Sequence, residues 1–87
     1  MAFVVKKEVT ALEIMNVIKK SGGRLLTNID IFDVYTGENV LEDEKSIAFK
    51  LTFADPTRTL EEDEVMSIFN KIINDVEDKC NAKLRSN

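Results

Sequence analysis

The chain has 87 residues, 44% of them apolar and 32% charged, with a net charge of −4, a balance that fits one globular domain with one core. It holds no histidine and a single cysteine, Cys80, which excludes Ser-His-Asp and Cys-His catalysis and any intrachain disulfide, and makes a reducing cytoplasm the expected compartment. No apolar run approaches the roughly 18 residues of a membrane span, Lys6-Lys7 precede no signal-type stretch, and the acidic balance excludes a protein that coats nucleic acid through many phosphate contacts.

Ala2 to Val5 is a short apolar run that reads as a buried strand and ends at Lys6-Lys7-Glu8. Thr10 and Glu13 are spaced as a capping box, after which Ala11, Ile14, Met15 and Ile18 recur at helical spacing up to a stop at Gly22-Gly23. Leu25 to Tyr35 alternates and is rich in β-branched and aromatic residues, which predicts a second strand. Gly37 to Glu44 is a polar loop, and Ile47, Phe49, Leu51 and Phe53 then alternate against polar or small neighbours as a third strand. Asp55-Pro56 breaks it, and Thr59 with Glu62 has the spacing of a second capping box. Val65, Ile68, Phe69, Ile72, Ile73 and Val76 follow one face of a second helix, Asn81 offers a left-handed cap, and Ala82 to Arg85 make a brief last strand.

The order β-α-β-β-α-β, without repeat or linker, predicts an α+β ferredoxin-like sandwich over residues 1–87: a four-stranded antiparallel sheet with both helices on one face. The other face lacks a helical cover. Apolar parity switches inside the second strand, from odd at Ile29 and Ile31 to even at Phe32 and Val34, a pattern that a strand partly buried on both faces would give and that a β-bulge near Ile31-Phe32, the reading preferred here, would also produce. That bulge is expected to keep Phe32 and Val34 in the core and to turn Asp33 and Tyr35 to the open face beside Ser46, Ala48 and Lys50.

A carboxylate, a phenol ring and a hydroxyl on two paired strands can read a nucleobase, the ring by stacking and the carboxylate by accepting from one base edge. From composition alone, the commoner explanation of the same residues is a tyrosine packing on an edge strand and an aspartate capping the turn before Gly37. Elsewhere the structural explanations suffice. Glu61 to Glu64 suit the positive end of a helix dipole and match no calcium loop. Glu42-Asp43-Glu44 reads as a solvated turn, Cys80 as core packing, and Lys45, Lys50, Arg58, Lys83 and Arg85 as scattered cations rather than a basic patch. No residue is read as catalytic or as a metal ligand.

Phe32-Asp33-Val34-Tyr35-Thr36-Gly37, Lys45-Ser46-Ile47-Ala48-Phe49, Arg58-Thr59-Leu60 ahead of an acidic helix start, and the closing Ala82-Lys83-Leu84-Arg85 together resemble the ferredoxin-fold anticodon-binding domain at the C-terminus of bacterial phenylalanyl-tRNA synthetase beta chains. The resemblance covers nearly the whole chain. It implies a non-catalytic domain holding the anticodon of the phenylalanine tRNA, whose first base is a guanine, with Asp33, Tyr35, Ser46 and Ala2 at the contact positions. It further implies a ligase that uses ATP and magnesium elsewhere, an α2β2 tetramer with the alpha subunit, and a domain excised from a longer beta subunit. The family often has glycine where Asp43 stands and a basic residue where Glu44 stands, so phosphate contact from this loop is not expected. Two rival readings are a ferredoxin-like small-molecule regulatory module and a protein-interaction domain. The first would need a glycine-lined loop where Lys6-Lys7-Glu8-Val9 stands.

Overall fold

A computed structural model describes residues 1–38 and 40–85; Asn39 of the expected loop and the last two residues lie outside the described part. The first strand, β1 (Ala2–Lys6), buries Phe3 and Val5 at 0% and 1% exposure. The first helix, α1 (Ala11–Gly22), begins with both bonds of the capping box: the Thr10 hydroxyl accepts from the Glu13 N–H at 3.1 Å, and the Glu13 carboxylate accepts from the Thr10 N–H at 3.3 Å. It stops at Gly23, whose φ of +64° is left-handed. A single 3-10 turn, Gly23–Leu25, leads into β2 (Leu26–Tyr35), followed by β3 (Glu44–Phe53), α2 (Glu62–Cys80) and β4 (Lys83–Leu84).

The strands form one antiparallel sheet in the order β2-β3-β1-β4. Alternate residues of the two central strands, Phe3, Val5, Ile47 and Phe49, meet Ile14 and Ile18 of α1 and Ile72 and Val76 of α2 in one core. Both helices therefore cover the same face, as the ferredoxin-like reading expected. Each of these large apolar side chains contributes roughly 1.5–3 kcal/mol by leaving water.

Three expectations need correction. The Thr59–Glu62 capping box does not form: α2 starts two residues later than that box requires, with Glu61 at the cap position and without a side-chain cap bond. An ion pair secures this entry instead, Arg58 donating to both carboxylate oxygens of Glu64 at 2.8 and 2.6 Å. The loop Glu42-Asp43-Glu44 is not simply a solvated turn, because Asp43 accepts from the Lys6 ammonium at 2.6 Å and its carbonyl accepts from the Lys7 N–H. The side-chain bond raises the Lys6 pKa above its ordinary value and lowers that of Asp43. The loop is thereby tied to the end of β1.

The third correction concerns β2. Its register against β3 shifts between Ile31 and Asp33, where the parity switch placed a bulge, and again between Leu26 and Asn28. The bulge does not put Phe32 and Val34 in the core. Phe32 is 67% exposed and Val34 56% exposed. Val34 pairs with the buried Ile47 and so faces the helix side, but it stands on an edge strand, outside the area the helices cover. Phe32 is the extra residue at the bulge and lines a cavity on the open face together with Asp33.

At the far end, Asn81 caps α2 in the left-handed conformation expected of it, φ 52° and ψ 34°. The chain then turns into β4, which pairs Leu84 with Phe3 and Lys83 with Val4. The Arg85 N–H continues this ladder by donating to the Ala2 carbonyl at 2.8 Å. Cys80 is half-buried against the core, and burial is the main reason its thiol pKa is pushed up.

Candidate functional site

Register decides which residues share the uncovered face. Asp33 pairs with Ala48 and Ala48 with Ala2, while Tyr35 pairs with Ser46. Ser46 and Ala48 alternate with the buried Ile47 and Phe49, so these positions point away from the helices. The four expected positions, Ala2, Asp33, Tyr35 and Ser46, thus lie on one face across three adjacent strands.

Three of the four line a common cavity of about 410 Å³, which also takes in Phe32, Ala48 and Arg85. The small side chains of Ala2 and Ala48 leave its floor open. Asp33 stands at the wall with its carboxylate exposed to solvent. Such a group can accept two hydrogen bonds from a planar partner that presents adjacent donors.

Tyr35 stands beside this cavity, and its ring is engaged. The Arg85 guanidinium lies 5.3 Å from the ring centroid, within cation–π range. Tyr35 and Arg85 belong to opposite edges of the sheet, so their side chains meet by crossing the open face. Ser46, which pairs with Tyr35 on one side and Val4 on the other, is only 3% exposed although no helix covers this face.

The glycine that ends the Phe32-to-Gly37 run also has a local cause. Gly37 adopts φ +130°, and a Cβ there would lie 3.3 Å from the Tyr35 phenol oxygen. Glycine lets the turn bend and lets the phenol come close.

Arg85 is the site residue that the sequence pattern left among scattered cations. Of Lys45, Lys50, Arg58, Lys83 and Arg85, it alone lines the cavity among the described residues. Arg58 is committed to Glu64 and Asp55 instead. Its place is set by the fold: the Arg85 backbone continues the β4 ladder opposite Ala2, on the Ala2 and Asp33 face.

Among the described residues, no group of three histidine, cysteine, aspartate or glutamate side chains is placed to hold a metal ion, and no helix is long and apolar enough to cross a membrane. The chemistry available at the cavity is recognition by hydrogen bonds, stacking and one cation.

Comparison with known proteins identifies the family. The model of a family described as "Ferredoxin-fold anticodon binding domain" matches residues 1–85. The chain is 45% identical over 85 residues to the phenylalanine–tRNA ligase beta subunit of a Bacillus cereus strain, covering 98% of this chain and 10% of that protein. It is 43% identical over 84 residues to the protein of the same description from Bacillus subtilis, covering 97% and 10%. The corresponding protein of Listeria monocytogenes serovar 1/2a is 41% identical over 85 residues, covering 98% and 11%. The chain spans about a tenth of the length of these curated relatives.

Proposed function

This chain belongs to the ferredoxin-fold anticodon binding domain family, and from that membership we propose that its open sheet face reads the anticodon of a phenylalanine tRNA as part of a phenylalanine–tRNA ligase beta subunit. The observation that carries the reading is the cavity at which Asp33, Ser46 and Ala2 converge on the uncovered face. In this reading, residues 1–87 are one non-catalytic domain of a longer cytoplasmic subunit that works in an α2β2 tetramer with the alpha subunit. In the same reading, ATP and magnesium serve the ligation chemistry elsewhere in that enzyme.

The roles follow from chemistry. Guanine presents two adjacent donors, N1–H and the N2 amino group, to which the Asp33 carboxylate is complementary. Adenine presents an acceptor at N1 and repels it. Ala2 leaves room for the base to approach, and Ser46 adds a hydroxyl contact. Tyr35 supplies a stacking face. When RNA arrives, Arg85 leaves or shares the Tyr35 ring and turns toward a phosphate or a base edge. With a net charge of −4, few phosphate contacts are expected, and affinity rests on the bases.

Titration of the 87-residue chain with an anticodon stem-loop, and with the same loop carrying adenine for the first-position guanine, tests the reading. Guanine should be preferred by roughly 5- to 150-fold, the range for one bidentate edge contact. Asp33→Asn should narrow that preference, because one acceptor becomes a donor facing the donors of guanine. Equal binding of the two loops, or binding of neither, refutes base reading by this face.

A further inference from the structure

The exposed Phe32 ring stands apart from the core that the sequence pattern expected it to fill. It is the added residue of the β2 bulge, with Phe32 and Asp33 together spanning the step from Ile31, opposite Phe49, to Asp33, opposite Ala48. A bulge can bring two consecutive side chains to one side of a sheet, and here both line the open-face cavity. Its exposure of 67% forgoes much of the stabilisation that burying a phenylalanine would bring. It is not an isolated surface apolar residue either, since Met1, Ala48 and Leu84 line the same cavity. Along β2, Asp33 lies between the Phe32 and Tyr35 positions. Tyr35 already has a guanidinium on its ring, whereas Phe32 has no such cation–π partner among the described residues.

We propose that Phe32 is a second stacking platform of the RNA-binding face, so that two neighbouring bases are held, one on Phe32 and one on Tyr35, with Asp33 reading an edge between them. This rests on the base-reading function proposed above and adds a residue to it. Two stacked bases on one sheet is an arrangement that an aromatic pair on an open β-surface supports. Phenylalanine suits the task because its ring has two faces and no polar group that would prefer water or compete for the hydrogen bonds of the base. The bulge is then functional as well as architectural: without it, the consecutive Phe32 and Asp33 would alternate to opposite sides of the sheet, and only one of them would reach the cavity.

The test uses the anticodon stem-loop with the fluorescent adenine analogue 2-aminopurine placed in turn at each anticodon position, bound to the unmutated chain and to Phe32→Leu, Phe32→Ala and Tyr35→Leu. Leucine keeps the apolar contact and removes the ring. Stacking quenches the probe. The expected result is quenching at two adjacent positions, of which Phe32→Leu abolishes one and Tyr35→Leu the other, with affinity lowered roughly 5- to 150-fold by Phe32→Ala. Because Phe32 is exposed, the two Phe32 variants should melt at the parent temperature, which separates lost binding from lost folding.

Unchanged affinity and quenching in Phe32→Leu and Phe32→Ala, with Asp33→Asn still narrowing the guanine preference, would overturn the role of Phe32 and leave the base-reading face standing. That outcome would mean the ring serves a protein contact instead, at the neighbouring apolar groove of Phe49, Leu51 and Met66 that it also borders. Absence of any binding by the unmutated chain would overturn the base-reading face, and the role of Phe32 with it.

Discussion

Gly22, at the end of α1, packs against Leu26 at the start of β2, and Gly22→Ala measures how tight that approach is. Its backbone, at φ −73° and ψ −25°, is ordinary helix, so alanine there gains up to about 1 kcal/mol over glycine in helix propensity. Space acts in the opposite direction. The new Cβ would lie 2.5 Å from Leu26 Cδ2 and 2.7 Å from Leu26 Cβ, well inside the roughly 3.5–4.0 Å at which carbon atoms rest. The Cδ2 methyl can rotate away, but the Leu26 Cβ is fixed to the strand. The start of β2 must therefore shift by about 1 Å for a normal contact to be restored. Overpacking of this kind costs about 1–3 kcal/mol, which exceeds the propensity gain. A net loss of about 1 kcal/mol is expected, lowering the melting temperature by roughly 4–8 °C in a domain of this size. Leu26→Ala removes the nearest methyl contact, so Gly22→Ala should be less harmful in that background, and calorimetry on the four variants of the cycle reads the coupling. Gly23→Ala is the contrast. Nothing stands within 4 Å of a Cβ there, yet φ +64° with ψ −152° is a conformation of glycine, so a loss of about 1–3 kcal/mol comes from the backbone and Leu26→Ala does not relieve it. A Gly22→Ala chain that melts at or above the parent temperature would refute the steric account.

Asp55 accepts from the Thr57 N–H at 2.9 Å and from its hydroxyl at 2.7 Å, and these bonds hold its carboxyl below the ordinary 3.8. A depressed carboxyl contributes stability that is present above its unfolded value and lost as pH falls through its folded one. Thr57→Ala should therefore move the Asp55 titration midpoint up toward 3.8 and lower stability at neutral pH, with the difference from the parent vanishing in acid; an unchanged midpoint by carboxyl NMR contradicts this. Arg85→Gln should weaken stem-loop binding and reduce the slope of log affinity against log salt by about 0.7, as for one lost contact to single-stranded phosphate. A loss of affinity without a change of slope would instead put Arg85 on a base. Ala2→Leu should reduce affinity by filling the floor of the cavity while leaving the melting temperature nearly unchanged, and unaltered binding would show that the base does not approach that strand.

Local pattern determined much of this protein by itself. The capping box at Thr10 and Glu13, the left-handed cap at Asn81, the alternation from Ile47 to Phe53 and the helical stripe from Val65 to Val76 depend on backbone geometry and side-chain spacing within a few residues, and each is present. Their order constrained the sheet and placed both helices on one side. The parity switch at Ile31-Phe32 also located the bulge. Which way the bulge sends its residues was beyond a period of two, because at a bulge alternation stops identifying faces. Phe32 and Val34 look alike as apolar letters, yet one lines the open cavity and the other faces the helix side of an edge strand with little covering it. The Thr59–Glu62 spacing was a valid signal that the fold does not use: α2 begins after Glu61, and Arg58 pairs with Glu64 beside that start. Long-range neighbours were the least legible. Tyr35 and Arg85 are far apart in the chain and on opposite edges of the sheet, and only the assembled strand order brings the guanidinium over the ring. Residue type and spacing determined which groups could read a base, and the tertiary structure decided which of them share a cavity, because a face is defined by the strands that meet on it.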